Sequence, residues 1–161
     1  MQQLVTILLF APLLGALIAG LFGRRIGDVA SQAVTTGLLL LTDDGTLIHR
    51  LTSPKKHMPK VYEATTRHPV DERQLTALRT GVVLDDDPAP VAALEALAAG
   101  EHALRMTLTE GRYHQVKRMV AAVGNRVDAL HRSAIGAYRL PPELAPGQWC
   151  WLDPAALYAS R

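Results

Sequence analysis

From Leu4 to Gly23 the chain reads LVTILLFAPLLGALIAGLFG, a run without a single charge. Its length matches the ~20 residues a helix needs to cross a hydrocarbon layer ~30 Å thick. Such a run cannot be one strand of a small domain, and it leaves three readings. A secretory signal would place positive charge before the apolar run and a cleavage site after it, but MQQ precedes this one and Arg24 and Arg25 follow. A helix apolar on all sides can be buried in a protein core, yet that is unusual in a domain of this size. A transmembrane helix fits best. Pro12 is tolerated in such a helix, and Ala11, Gly15, Ala19 and Gly23 recur every fourth residue, a stripe of small side chains that lets another helix approach closely. The arginine pair on its C-terminal flank would leave all that follows on the cytoplasmic side.

Beyond about Gly37 the texture changes. Short apolar runs alternate with DDG, SPKK, HPVDE, DDDPAP and LPPELAPG, the punctuation of a mixed α and β domain. The full chain has 161 residues, so the part after the apolar run is long enough for one ordinary core. Seventeen Lys and Arg against fifteen Asp and Glu leave a formal charge of +2, too small to identify a nucleic-acid binder, although local basic patches remain. Cys150 is the sole cysteine, which excludes an internal disulfide and a cysteine-built zinc site.

Local patterns assign elements. Leu38 to Leu41 reads as a strand, followed by Asp43, Asp44 and Gly45 with turn chemistry. Leu47, Ile48 and Leu51 fit a brief helix that stops before Pro54, and Val61 to Thr66 alternates as a strand. Asp71 with Gln74 three positions on resembles a capping box, opening a helix that ends near Gly81. The AALEALAA stretch at 92–99 has helical composition, Leu104, Met106 and Leu108 alternate as a strand, and the Asp85, Asp86, Asp87 run reads as a solvated loop. Between Tyr113 and Val123, Val116, Met119, Val120 and Val123 fall at helical spacing, with Gly124 as terminator. On that wheel Lys117 borders the apolar stripe and Arg118 lies nearly opposite it.

Five segments, TTGLLLLTDDG (35–45), HRLTSPKKHMPKVYE (49–63), EGRYHQVKRM (110–119), GNRVDALHRSAIG (124–136) and LAPGQW (144–149), resemble in order the bacterial RsuA-type pseudouridine synthases that act on small-subunit ribosomal RNA. The opening, FAPLLGALIAGLFGRRIGDVASQAVTTGLL, is similar instead to the first membrane helix of the large antiporter-like subunit of NADH:quinone oxidoreductase. The two likenesses meet at TTGLL, so the chain reads as a fusion: residues 1–36 foreign to the synthase family, residues 37–161 the C-terminal part of its catalytic domain. The resemblance implies an α+β fold with a mixed, mainly antiparallel sheet and packed helices. It also implies that the family's N-terminal RNA-binding domain and the first half of its sheet are missing, which would leave strand edges unpaired.

The family's chemistry flips a uridine out of paired RNA, cleaves its glycosidic bond, turns the base and rejoins it through carbon. No cofactor or metal is implied, the partner is small-subunit ribosomal RNA, and the compartment is the cytoplasm unless the apolar helix inserts. Carried over by position, Tyr62 would stack on the uracil and Lys117 would pair with the nucleophilic carboxylate. The position of that carboxylate is held by Gln32, a neutral amide that cannot attack. Asp28, four residues upstream, would be displaced by ~6 Å along a helix or ~13 Å along a strand, too far for a replacement. Lys55, Lys56, His57 and Lys60 form a basic cluster suited to phosphate oxygens, joined by Arg112, His114 and Arg118, with His131 and Arg132 continuing it. The plain alternatives are a strand tyrosine packing on its neighbour, a solvated helix lysine and a solvated loop. At the level of the chain, the expectation is a pseudouridine synthase by family without turnover. Its alternatives are a non-catalytic RNA-binding remnant and a truncated membrane subunit of a respiratory NADH dehydrogenase. If residues 4–23 span a bilayer, the full chain stays in the membrane pellet after a carbonate wash, and release into the supernatant refutes the span.

Overall fold

The computed structural model describes residues 34–53, 56–84, 87–145 and 147–158. The apolar run at 4–23, Asp28, Gln32, Lys55, Asp85 and Asp86 lie outside the described residues. Among those described, no helix is long and apolar enough to cross a membrane.

In chain order the elements are β1 (Val34–Gly37), α1 (Gly45–Thr52), β2 (Lys60–Thr66), α2 (Glu72–Thr80), β3 (Val82–Leu84), β4 (Asp87–Val91), β5 (Glu95–Gly100), β6 (Ala103–Leu108), α3 (Gln115–Ala122), β7 (Val127–Ile135) and β8 (Tyr138–Arg139), closed by a 3₁₀ turn at Pro154–Leu157. Among the described residues one sheet has the order β1-β7-β2-β6-β5 with β8 added on β7, and β3 with β4 makes a separate ribbon. The β2–β6, β2–β7, β5–β6 and β7–β8 pairs are all antiparallel. The expected α+β class with a mainly antiparallel sheet is what the chain forms.

Several local signals act as their chemistry demands. Asp44 caps α1 by accepting from the backbone N–H groups of Thr46 (2.8 Å) and Leu47 (3.1 Å). The Asp71 carboxylate accepts from Gln74 N at 2.7 Å and the Gln74 side chain reaches back, so the capping box that opens α2 is real. Gly124, at φ +79°, follows α3.

Three expectations fail. The strand anticipated at Leu38 to Leu41 lies upstream, as β1, because Gly37 turns the chain at φ +138° and leaves Leu39 and Leu41 exposed. Asp87, read as part of a loop, begins β4. The Ala- and Leu-rich stretch at 92–99 is not a helix. Its second half is β5, pairing Ala96 with Met106 and Ala98 with Leu104. A helix of so few residues is marginal on its own, whereas the ladder with β6 satisfies the backbone and buries Ala96 completely.

Helix α2 packs on β5, and α3 packs on β3 and β7. Leu75 and Leu78 of α2 and Val116, Met119 and Val120 of α3 are buried with Ala64, Leu104, Met106, Leu108 and Leu130 of the sheet. A second cluster of Leu38, Met58, Ile135 and Leu157 receives Leu47 and Leu51 of α1. The loops at one end are joined by the buried Asn125. Its Oδ1 accepts from His68 N (3.1 Å) and Arg126 N (2.8 Å), and its Nδ2 donates to His68 O (3.0 Å) and Gln74 Oε1 (3.3 Å). Removing that buried amide leaves several partly buried partners without it, so Asn125→Ala should lower the unfolding free energy by about 1–3 kcal/mol in a urea titration. Leu78→Ala should cost about 2–5 kcal/mol for the cavity it leaves.

Candidate functional site

Strand β2 alternates, and its two faces have different fates. Lys60, Tyr62, Ala64 and Thr66 share one face. Directly opposite them stand Leu108, Met106 and Leu104 on β6 and Ile135, Arg132 and Leu130 on β7. The aliphatic members of this set are buried, and Lys60 and Tyr62 are half-buried. Tyr62 and Lys60 thus sit where a buried apolar face gives way to solvent.

The β7 strand is irregular at this point. Tyr62 pairs with Arg132 while Val61 pairs with Ala134, so Ser133 is an extra residue in the ladder, a bulge that re-aims its neighbours. The Arg132 guanidinium donates twice to the carbonyl of Leu38, from Nε at 3.0 Å and Nη2 at 2.7 Å. Leu38 N in turn donates to Arg132 O at 2.9 Å. Gly37 makes this approach possible, since a Cβ there would lie 2.5 Å from the backbone nitrogen of Arg132. Nearby, Lys60 Nζ donates to Met58 O at 3.1 Å. Burial, and then the positive charge of Arg132, lower the Lys60 ammonium below its ordinary value of 10.5.

Lys117 lies on α3, half-buried, one position after the buried Val116, at the edge of the stripe as its wheel position requires. Arg118 does not reach inward and donates to the Tyr113 carbonyl at 3.3 Å. The loop before α3 is held by a ring of hydrogen bonds. Buried Gln115 accepts from Arg112 N at 3.0 Å and donates to Glu110 at 3.3 Å, while Arg112 Nε donates to the other Glu110 oxygen at 3.2 Å. His114, the residue before α3, has φ +47° and its ring stacks on Tyr113 with centroids 3.9 Å apart.

The positions named from sequence therefore fall into two groups. Tyr62 and Lys60 come together with Arg132 on β2 and β7. Arg112, His114, Lys117 and Arg118 come together at the start of α3, which rests on β7. Two groupings need correction. Lys60 does not share the exposed cluster of Lys56 and His57; the alternation of β2 turns it toward the buried face. His131 does not continue the Arg132 patch, because it stands opposite Glu63 on the other face of the sheet. The ring of Glu110 and Gln115 and the clamp on Leu38 were missed. A glutamine between Arg112 and Lys117 is the available signal, since a buried amide must find partners.

Comparison with known proteins places this geometry. Residues 33–122 match the RNA pseudouridylate synthase family. The chain belongs to that family. It is similar to ribosomal small subunit pseudouridine synthase A of Salmonella typhimurium, 49% identical over 117 residues that cover 71% of this chain and 50% of the relative. The same enzyme of Escherichia coli strain K12 is 47% identical over 117 residues, with the same two coverages. A Bacillus subtilis relative, described as an uncharacterized RNA pseudouridine synthase, is 44% identical over 119 residues, 71% of this chain and 49% of its own length. The crystal structure of a pseudouridylate synthase superposes with a TM-score of 0.72 at 41% identity, over 75% of this chain and 53% of that one. The chain spans about half the length of the curated relatives it matches.

Within this pseudouridylate synthase fold the Lys60 environment has a titration signature. The folded state releases this proton before the unfolded chain does. The contribution of Lys60 to stability therefore rises with pH from the lowered value up to about 10.5 and is flat below it. Arg132→Gln should move the Lys60 pKa upward in an NMR titration of its side-chain carbons, and Lys60→Met should abolish that limb of the stability curve.

Proposed function

We propose that residues 37–161 are the C-terminal part of the catalytic domain of a small-subunit ribosomal RNA pseudouridine synthase, and that this chain binds RNA without isomerising it. Tyr62 is the aromatic residue that lies against the uracil, and Lys117 is the cation that would pair with the nucleophile. The carbon–nitrogen bond between sugar and base would be cleaved, a carbon–carbon bond formed to C5, and the C5 proton removed. That sequence needs an ionised carboxylate at the position held by Gln32, and an amide oxygen neither carries the charge nor attacks.

The observation that carries the reading is the placement of Tyr62. It stands at the border of a buried apolar face beside Lys60 and Arg132, half-buried and so in part accessible from solvent. Phosphate contacts come from Lys56, Arg112, His114 and Arg118, with Lys55 added from the sequence. Such contacts are salt-sensitive and largely blind to sequence. The competing reading, a truncated membrane subunit of a respiratory dehydrogenase, rests on residues outside those described and requires no RNA affinity.

Incubation of the full chain with small-subunit ribosomal RNA, followed by carbodiimide blocking and reverse transcription, should give no stop above the protein-free control. Filter binding of the same RNA should weaken steeply with salt. Any catalytic turnover contradicts the role assigned to Gln32.

A further inference from the structure

We infer that Tyr113 and His114 form a stacking platform for an unpaired RNA base, distinct from the Tyr62 position. This rests on the RNA-binding reading above and deepens it by assigning a second base contact.

Four observations converge. Tyr113 is 78% exposed, although a tyrosine ring is large enough to be drawn into the core. Its ring already lies nearly parallel to the His114 imidazole, at 16° and 3.9 Å between centroids, so the imidazole backs one face of the phenol ring and a base would extend the stack on the other. The backbone beneath it is held out of its comfortable range. His114 has φ +47°, left-handed for a non-glycine residue, and its side chain makes no cap to α3. The conformation is imposed by neighbours: Gln115 and Glu110 brace Arg112 on one side, and the Arg118 guanidinium holds the Tyr113 carbonyl on the other. An exposed ring on a loop this firmly built does not need to be ordered when a ligand arrives, which preserves binding energy.

The charge around the platform selects the ligand. Segment 110–118 carries Arg112, Lys117 and Arg118 against Glu110 alone. Aromatic rings among cations suit single-stranded nucleic acid, whose bases stack while its phosphates meet the positive side chains. The other exposed aromatic pair, Trp149 and Trp151, packs edge-to-face at 88° and has Asp153 close in sequence, an arrangement without that complement. The platform at 113–114 would hold one unpaired base of the strand, separately from the uridine placed at Tyr62.

The test uses the full chain and a short single-stranded RNA containing 2-aminopurine, read by quenching on stacking and by salt-dependent affinity. Tyr113→Ala should weaken binding about five- to a hundredfold and relieve the quenching while leaving the salt slope unchanged. Tyr113→Phe should retain both, and Trp151→Ala should resemble the unmodified protein. Circular dichroism of each variant reports whether the fold is kept, and Tyr113→Leu, apolar but not aromatic, should lose the quenching and so keeps the test decisive if Tyr113→Ala unfolds. RNA binding with a normal salt slope that Tyr113→Ala leaves unaltered overturns the platform but not the RNA-binding reading. An unmodified chain with no RNA affinity overturns both.

Discussion

Strand β2 is hydrogen-bonded along both edges, to β6 on one side and β7 on the other, and that double pairing determines where everything else stands. Because side chains alternate along a strand, a one-residue slip in either ladder would turn Tyr62 and Lys60 to the opposite face. Ala64 and Thr66 prevent the slip, since both are buried on the face that Tyr62 and Lys60 share and neither could exchange places with exposed Glu63 or Thr65 without loss of packing. The site is thus located by the core, and the bulge at Ser133 adjusts it locally.

The second constraint is polar. The Arg132 clamp on the Leu38 carbonyl fixes the exit of β1 against β7, and glycine at position 37 is what permits the approach. The ring through Glu110, Arg112 and Gln115 does the same for the loop before α3. Both devices satisfy polar groups that would otherwise be costly to bury, and each stands beside an aromatic side chain, half-buried Tyr62 in one case and exposed Tyr113 in the other.

Much of this was legible in the sequence where a signal was local. The capping box at Asp71 and Gln74, the α3 stripe at Val116, Met119 and Val120, and the edge position of Lys117 follow from spacing alone. The stretch at 92–99 departs from its helical composition because alanine and leucine favour helices only when tertiary pairing does not compete, and β6 competes successfully. The facing of Lys60 follows from β2 beginning one residue before the alternating run at 61–66, whereas the place of His131 opposite Glu63 depends on pairing between residues some seventy positions apart, which leaves no local trace. The family likeness is carried by five short segments, and Tyr62 and Lys117 lie within two of them.

The central proposition is that this scaffold keeps its base-binding surface while an amide occupies the place of the attacking carboxylate. RNA in which the target uridine is replaced by 5-fluorouridine tests it most directly. The expected result is a complex that dissociates in high salt and leaves no adduct after denaturing electrophoresis. A covalent species that survives denaturation would mean that a carboxylate of this chain reaches the sugar or the ring, contrary to the role assigned to Gln32.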